Sequence, residues 1–130
     1  MITTGLTTQA KLLMLELMSK EQYKIALYEG TADVGPGTLT YTSVGEVVGK
    51  GYKPGGLALK NARAWEDRGS ACLTWDSPMI PVSTISANGF MIYIPNRANR
   101  AVFVGAWNAT FTSTEGPFTV NISADQICID

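Results

Sequence analysis

Asp76 follows Trp75 directly, and a carboxyl group beside an indole is a pairing that could stack against and bind a sugar ring. Carboxylates are the only abundant acid–base groups in the chain, and cleaving a glycosidic bond needs two of them facing one cleft. Nothing nominates the second. Glu66 and Asp67 are neighbours, so on a strand they point to opposite faces, and Asp76-Ser77-Pro78 is also an ordinary turn opening in which the Asp side chain bonds its own backbone. The chain contains no histidine. A serine or cysteine nucleophile would therefore lack the base that commonly activates it, and no Gly-x-Ser-x-Gly elbow occurs. The acids do not follow the calcium-loop spacing, and two cysteines make no metal-ligand set. The residues nominate no catalytic group, no metal and no cofactor, which is the pattern of a protein that is not an enzyme.

The densest turn signal is Gly49-Lys50-Gly51-Tyr52-Lys53-Pro54-Gly55-Gly56. Glycines and lysines together invite comparison with a phosphate cradle, but the spacing is neither the P-loop pattern nor the dinucleotide one, and no helix start follows. A structural turn is the better reading, with glycine supplying positive φ.

Positioning such groups falls to a chain of 130 residues, 45% apolar and only 16% charged. That length suits one domain, spanning 1–130, with roughly two-thirds of its unfolded surface hidden in one core. Ten basic and eleven acidic residues leave a net charge of −1, so no positive field is available to hold nucleic acid or an anionic membrane. So few charges on a small surface imply that a partner covers some of it. No apolar run reaches the ~18 residues that a membrane span requires, and the N-terminus lacks the basic start of a secretory signal. A soluble product made in the cytoplasm is expected. Cys72 and Cys128 lie in apolar settings and read as buried free thiols rather than a bridge, because disulfides are rare in proteins assembled in the cytosol. For the same reason Asn108-Ala109-Thr110 and Asn121-Ile122-Ser123 read as chance matches to the glycosylation pattern.

Residues 8–20 read as the one helix, capped by Thr7 or Thr8. Ala10, Leu13, Met14, Leu17 and Met18 form a stripe at helical period and are the face expected to cover a sheet. Leu12 and Leu15 fall on roughly the opposite side. Either the helix is buried on both sides within its own domain, or Leu12 and Leu15 meet a neighbouring subunit.

From Tyr23 the period changes to two. Tyr23, Ile25 and Leu27 alternate with Lys24, Ala26 and Tyr28 as a half-buried strand. A surface loop follows over 31–38, then stretches that could be extended or a helical turn, then a strand at 57–59. Residues 62–66 and 71–75 flank Asp67-Arg68-Gly69-Ser70 as a hairpin. Pro78 and Pro81 interrupt the chain. Residues 84–87 and 90–94 bracket Asn88-Gly89 as two strands, or as one long strand with a bulge. Strands over 101–107, 118–122 and 127–129 complete the series. About eight short strands after one helix predict a mainly β fold, an antiparallel β-sandwich or jelly-roll-like barrel with an N-terminal α-helix.

Tryptophans supply large apolar area and one donor each, so Trp65, Trp75 and Trp107 are candidate interface anchors, with core packing as the alternative for each. Three stretches together resemble a family of small structural proteins of tailed-bacteriophage virions, of the capsid cement or decoration kind. They are Tyr23-Lys24-Ile25-Ala26-Leu27-Tyr28-Glu29-Gly30, the segment from Gly45-Glu46-Val47-Val48 through Gly55-Gly56, and Gly116-Pro117-Phe118-Thr119-Val120-Asn121-Ile122. The resemblance implies a virion protein on the outer capsid surface, bridging subunits of the major capsid protein, itself a dimer or trimer. A head- or tail-fibre-associated module that binds the host, with aromatic residues near Trp75 or Trp107 contacting glycan, is the alternative. Lys50, Lys53 and Pro54 depart from the commonest form of the central motif, so no specific contact is carried over there. The candidate partner-facing residues are Leu12, Leu15, Tyr52, Trp65, Trp75 and Trp107.

Overall fold

The computed structural model describes residues 1–122 and 127–129. In chain order the elements are α1 (Thr8–Met18), β1 (Lys24–Tyr28), β2 (Leu57–Ala58), β3 (Arg63–Asp67), β4 (Ser70–Thr74), β5 (Met79–Ile94), β6 (Arg100–Thr119) and β7 (Ile127–Ile129), with a 3-10 turn at Pro95–Arg97. The protein is mainly β, with two antiparallel sheets and one N-terminal helix, as its pattern predicts. Among the described residues no helix is long and apolar enough to cross a membrane. The chain divides into two compact units. One holds Met1–Glu21, Lys60–Asp76 and the C-terminal strand; the other holds Gln22–Leu59 and Ser77–Asn121.

The first unit sets α1 beside a three-stranded sheet of order β3-β4-β7. Thr7 caps the helix, its hydroxyl accepting the Ala10 N–H at 3.1 Å. Thr8 Oγ1 and Lys11 Nζ both donate to the Gly69 carbonyl, at 3.4 and 3.3 Å, and Gln9 donates to Glu66. These ties fasten one side of the helix to the β3–β4 hairpin. They also reverse the expected facing. Leu15 is 1% exposed and Leu12 half-buried, whereas Leu13 and Leu17, expected to cover the sheet, are each 57% exposed. A helix with leucines on both sides carries no hydrophobic signal for which side turns inward; here the polar ties at its start accompany the choice.

The hairpin turns through Arg68 and Gly69, with φ of 51° and 86°. Positive φ at both central positions is what a two-residue hairpin needs to match strand twist. Across β4, Cys72 stands directly opposite Cys128 of β7, and the two form a disulfide. The expectation of free thiols is therefore wrong. Their separation of 56 positions conceals a partnership that strand register imposes.

The second unit is built on a four-stranded sheet of order β2-β1-β5-β6. Residues 25–28 of β1 are all buried, where alternation was expected. The strand is interior to the sheet, and both its faces are covered: Ala26 and Tyr28 pack with Met91 and Tyr93, while Ile25 and Leu27 are shielded on the other face. The long β5–β6 hairpin absorbs what the sequence divides into shorter strands. Pro81 and Pro117, neither able to donate to a ladder, fall in the same irregular stretch between the pairs Ile80↔Phe118 and Ser83↔Gly116.

Candidate functional site

The glycine-rich loop does surround an anion, but the anion is the chain's own Glu46. This buried carboxylate accepts the Tyr41 hydroxyl at 2.5 Å, the Tyr52 hydroxyl, and the Gly55 N–H at 2.9 Å. Tyr52 in turn accepts the Leu27 N–H at 3.0 Å, and Tyr93 donates to the Gly55 carbonyl at 2.5 Å. The close approach at Gly56 explains the motif. A Cβ there would lie 1.9 Å from the Ile25 carbonyl oxygen, at a φ of +86°. Lys50 points away into an exposed ion pair with Glu115 at 2.7 Å, so it belongs to no phosphate cradle.

Burial raises the Tyr28 phenol from its ordinary 10.0 to about 12, with the Glu46 charge adding to the effect. Burial first, and the hydrogen bond to Glu46 second, hold the Tyr41 and Tyr52 phenols well above their usual range. All three stay protonated near neutrality, as donors in a fixed network. Sequence reasoning did not nominate Glu46. The available signal was an acid between Val44-Gly45 and Val47-Val48, framed by Tyr41 and Tyr52, close enough in the chain to reach it.

Asp76 is likewise committed. Arg63 Nη1 donates to it at 2.8 Å and Asn61 Nδ2 also donates, and these bonds hold its carboxyl below the usual carboxylate range. An exposed, ionised clamp of this kind does not serve as a general acid.

Of the expected partner-facing residues, Leu15, Tyr52 and Trp75 are buried, at 1%, 8% and 3% exposure, and so are not available as surface. Leu12 and Trp65 are half-buried in the first unit. Among the described residues, two solvent-open features bear on binding. The first is the outer face of α1, where Leu13, Met14 and Leu17 lie within one stripe of the helix and are exposed together.

The second lies in the other unit, at Trp107. Between the pairs Ala87↔Phe111 and Gly89↔Ala106, the single residue Asn88 of β5 stands against Trp107, Asn108, Ala109 and Thr110 of β6. The extra residues bulge outward, and Asn88 Nδ2 braces them by donating to Thr110 Oγ1 at 2.7 Å. Trp107 is half-buried. Its ring centroid lies 5.6 Å from that of Phe90 and 5.5 Å, edge to face, from that of Phe111. Beneath it, Gly105 leaves room for Phe90, whose ring would come within 2.4 Å of any Cβ at that position. The result is a cleft of about 270 Å³ between the bulge and the end of β1, with Glu29, Gly30, Asn88, Ala106 and Trp107 among its walls. The sequence leaves Asn88-Gly89 as a break between two strands or a bulge in one; β5 runs through it and the extra residues belong to β6, while nothing in the sequence places Glu29 in one cleft with Trp107.

The second glycosylation-like pattern runs into Ser123, which lies outside the described residues. Among the described residues no group of three or more His, Cys, Asp or Glu side chains is placed to hold a metal ion. Comparison with protein-family models, with curated proteins and with solved structures gives no match to this chain.

Proposed function

We propose that the chain is a capsid cement or decoration protein of a tailed bacteriophage, which binds the outer shell and bridges major capsid protein subunits. The observation that carries the reading is the outer face of α1. Leu13, Met14 and Leu17 are exposed together on a helix whose opposite side is already packed. Contiguous apolar surface of this kind is a mark of association with another protein. With only 16% charged residues, the rest of the surface does little to offset it.

Two further features support a load-bearing role outside the cell. Two acids that could do acid–base work, Glu46 and Asp76, are held in structural hydrogen bonds. The Cys72–Cys128 bridge suits the oxidising surroundings of a released particle better than a life in the cytosol. Bridging subunits would multiply modest contacts by symmetry, the more so for a dimer or trimer.

Cryo-electron microscopy of purified virions tests the assignment. Density for this fold is expected on the outside of the icosahedral shell, with the α1 face turned toward capsid protein. Density confined to the tail would instead favour the fibre-associated, host-binding alternative, and absence from the particle would end both readings.

A further inference from the structure

We propose that the cleft beside Trp107 is a binding site for a neutral saccharide, a property beyond cementing a shell and independent of it. The argument rests on the chemistry of the walls. An indole held by Phe90 on one side and edge-on by Phe111 on another is a rigid apolar platform. Rigid aromatic surface of that kind suits the C–H face of a pyranose ring, because little conformational entropy is lost on binding.

Around the platform stand the few polar groups that a hydroxylated ring would engage. The Glu29 carboxylate is exposed, and neither it nor the Trp107 indole N–H has a hydrogen-bond partner among the described residues. Asn88 already donates one bond to Thr110, which fixes its amide and leaves its carbonyl oxygen as an acceptor. The cleft wall is shared about equally between apolar and polar surface, so an aromatic platform and hydrogen-bonding groups face the same space, as a ligand with both a C–H face and hydroxyls requires. Its volume of about 270 Å³ falls just below the ~300–1,000 Å³ usual for ligand pockets, which favours one or two sugar rings over a long oligomer.

The same walls define what is refused. No lysine or arginine lines the cleft, and the one charged group there is a carboxylate. Phosphorylated, sulfated and sialylated ligands would meet repulsion without compensation. The structural reason for the bulge also falls into place. Bulges commonly re-aim a side chain at a functional site, and this one carries Trp107 out of the regular β5–β6 ladder to the rim of the cleft.

Titration of the ¹⁵N-labelled full chain tests the proposal. The probes are glucose, galactose, N-acetylglucosamine and lactose, with N-acetylneuraminate as the anionic contrast. At least one neutral probe is expected to shift the Trp107 indole N–H and the Gly30 and Gly89 amides saturably, with a Kd on the order of 1 mM. Trp107→Ala should weaken that binding about tenfold or more. Ala106→Leu, which adds bulk at an exposed wall and leaves the indole in place, should abolish it while the melting temperature stays unchanged. The proposal is overturned if no neutral probe gives saturable shifts at these residues, if N-acetylneuraminate binds more tightly than every neutral probe, or if a folded Ala106→Leu variant binds as well as the parent. None of these measurements involves a capsid, so the cement reading stands or falls separately.

Discussion

The Tyr52 hydroxyl donates to the Glu46 carboxylate while accepting the Leu27 N–H at 3.0 Å, so one phenol links the glycine-rich loop to the interior strand β1. Removing that oxygen leaves a buried amide without an acceptor and a buried carboxylate short of one donor. Tyr52→Phe should therefore lower unfolding free energy by about 2 kcal/mol, although it removes only one oxygen atom. Urea denaturation of the two proteins measures the difference; equal midpoints would show that water replaces the lost oxygen.

The same cluster gives the fold an alkaline limit. Below pH 10 both folded and unfolded chains keep the Tyr28 proton, and this phenol contributes no pH dependence. Above it the unfolded chain ionises first, because the folded-state value is raised to about 12, and stability falls as pH rises through that interval. Tyr41 and Tyr52 act in the same direction. Melting temperature should drop steeply above pH 10. Tyrosinate absorbance that develops near pH 10 without any loss of the fold would contradict it.

The two sides of α1 should respond oppositely to substitution. Leu15→Ala is expected to cost ~2–5 kcal/mol, the usual range for emptying a buried leucine site. Leu13→Asp combined with Leu17→Asp should change folding stability by no more than ~0.5 kcal/mol per site and, under the cement proposal, should abolish capsid binding. Thermal unfolding paired with a capsid-pelleting assay separates these effects.

Reduction of Cys72–Cys128 opens a covalent loop spanning 56 positions. The chain-entropy account puts the loss at ~4 kcal/mol. Denaturation with and without reductant checks the size, and hydrogen exchange should show that β7 is the first strand to lose protection.

Gly56→Ala places a methyl group against the Ile25 carbonyl at positive φ, whereas a Cβ at Gly37 meets nothing within 4 Å. The first substitution should prevent folding or lower the melting temperature severely. The second should be neutral, or stabilising by ~0.4–1 kcal/mol through the unfolded state. A tolerated Gly56→Ala would mean that the loop can move away from β1.

Local chemistry was the legible part. Thr7 as cap and the Arg68-Gly69 turn each follow from residue types within a few positions of one another. What the sequence concealed depends on contacts between distant segments. The inward face of α1 is set in company with ties to Gly69, and the pairing of Cys72 with Cys128 requires knowing that β4 and β7 are neighbours. β6 runs unbroken past Gly116-Pro117 because β5 accompanies it on that side, a condition no local pattern encodes. At the Trp107 cleft the aromatic wall was legible and the opposite wall was not.

The sulfur bridge also decides how the chain would carry tension. Cys72 and Cys128 bracket the whole β5–β6 hairpin, so a pull applied to the backbone before Cys72 and after Cys128 passes through the S–S bond and not along the enclosed backbone, reaching it only sideways through the β1–β5 ladder. The backbone of the long hairpin would bear no lengthwise tension, although β1 and the Glu29–Gly30 wall of the aromatic cleft lie in the stretched segment. The strands between the two cysteines would be loaded end to end only after that covalent bond is broken.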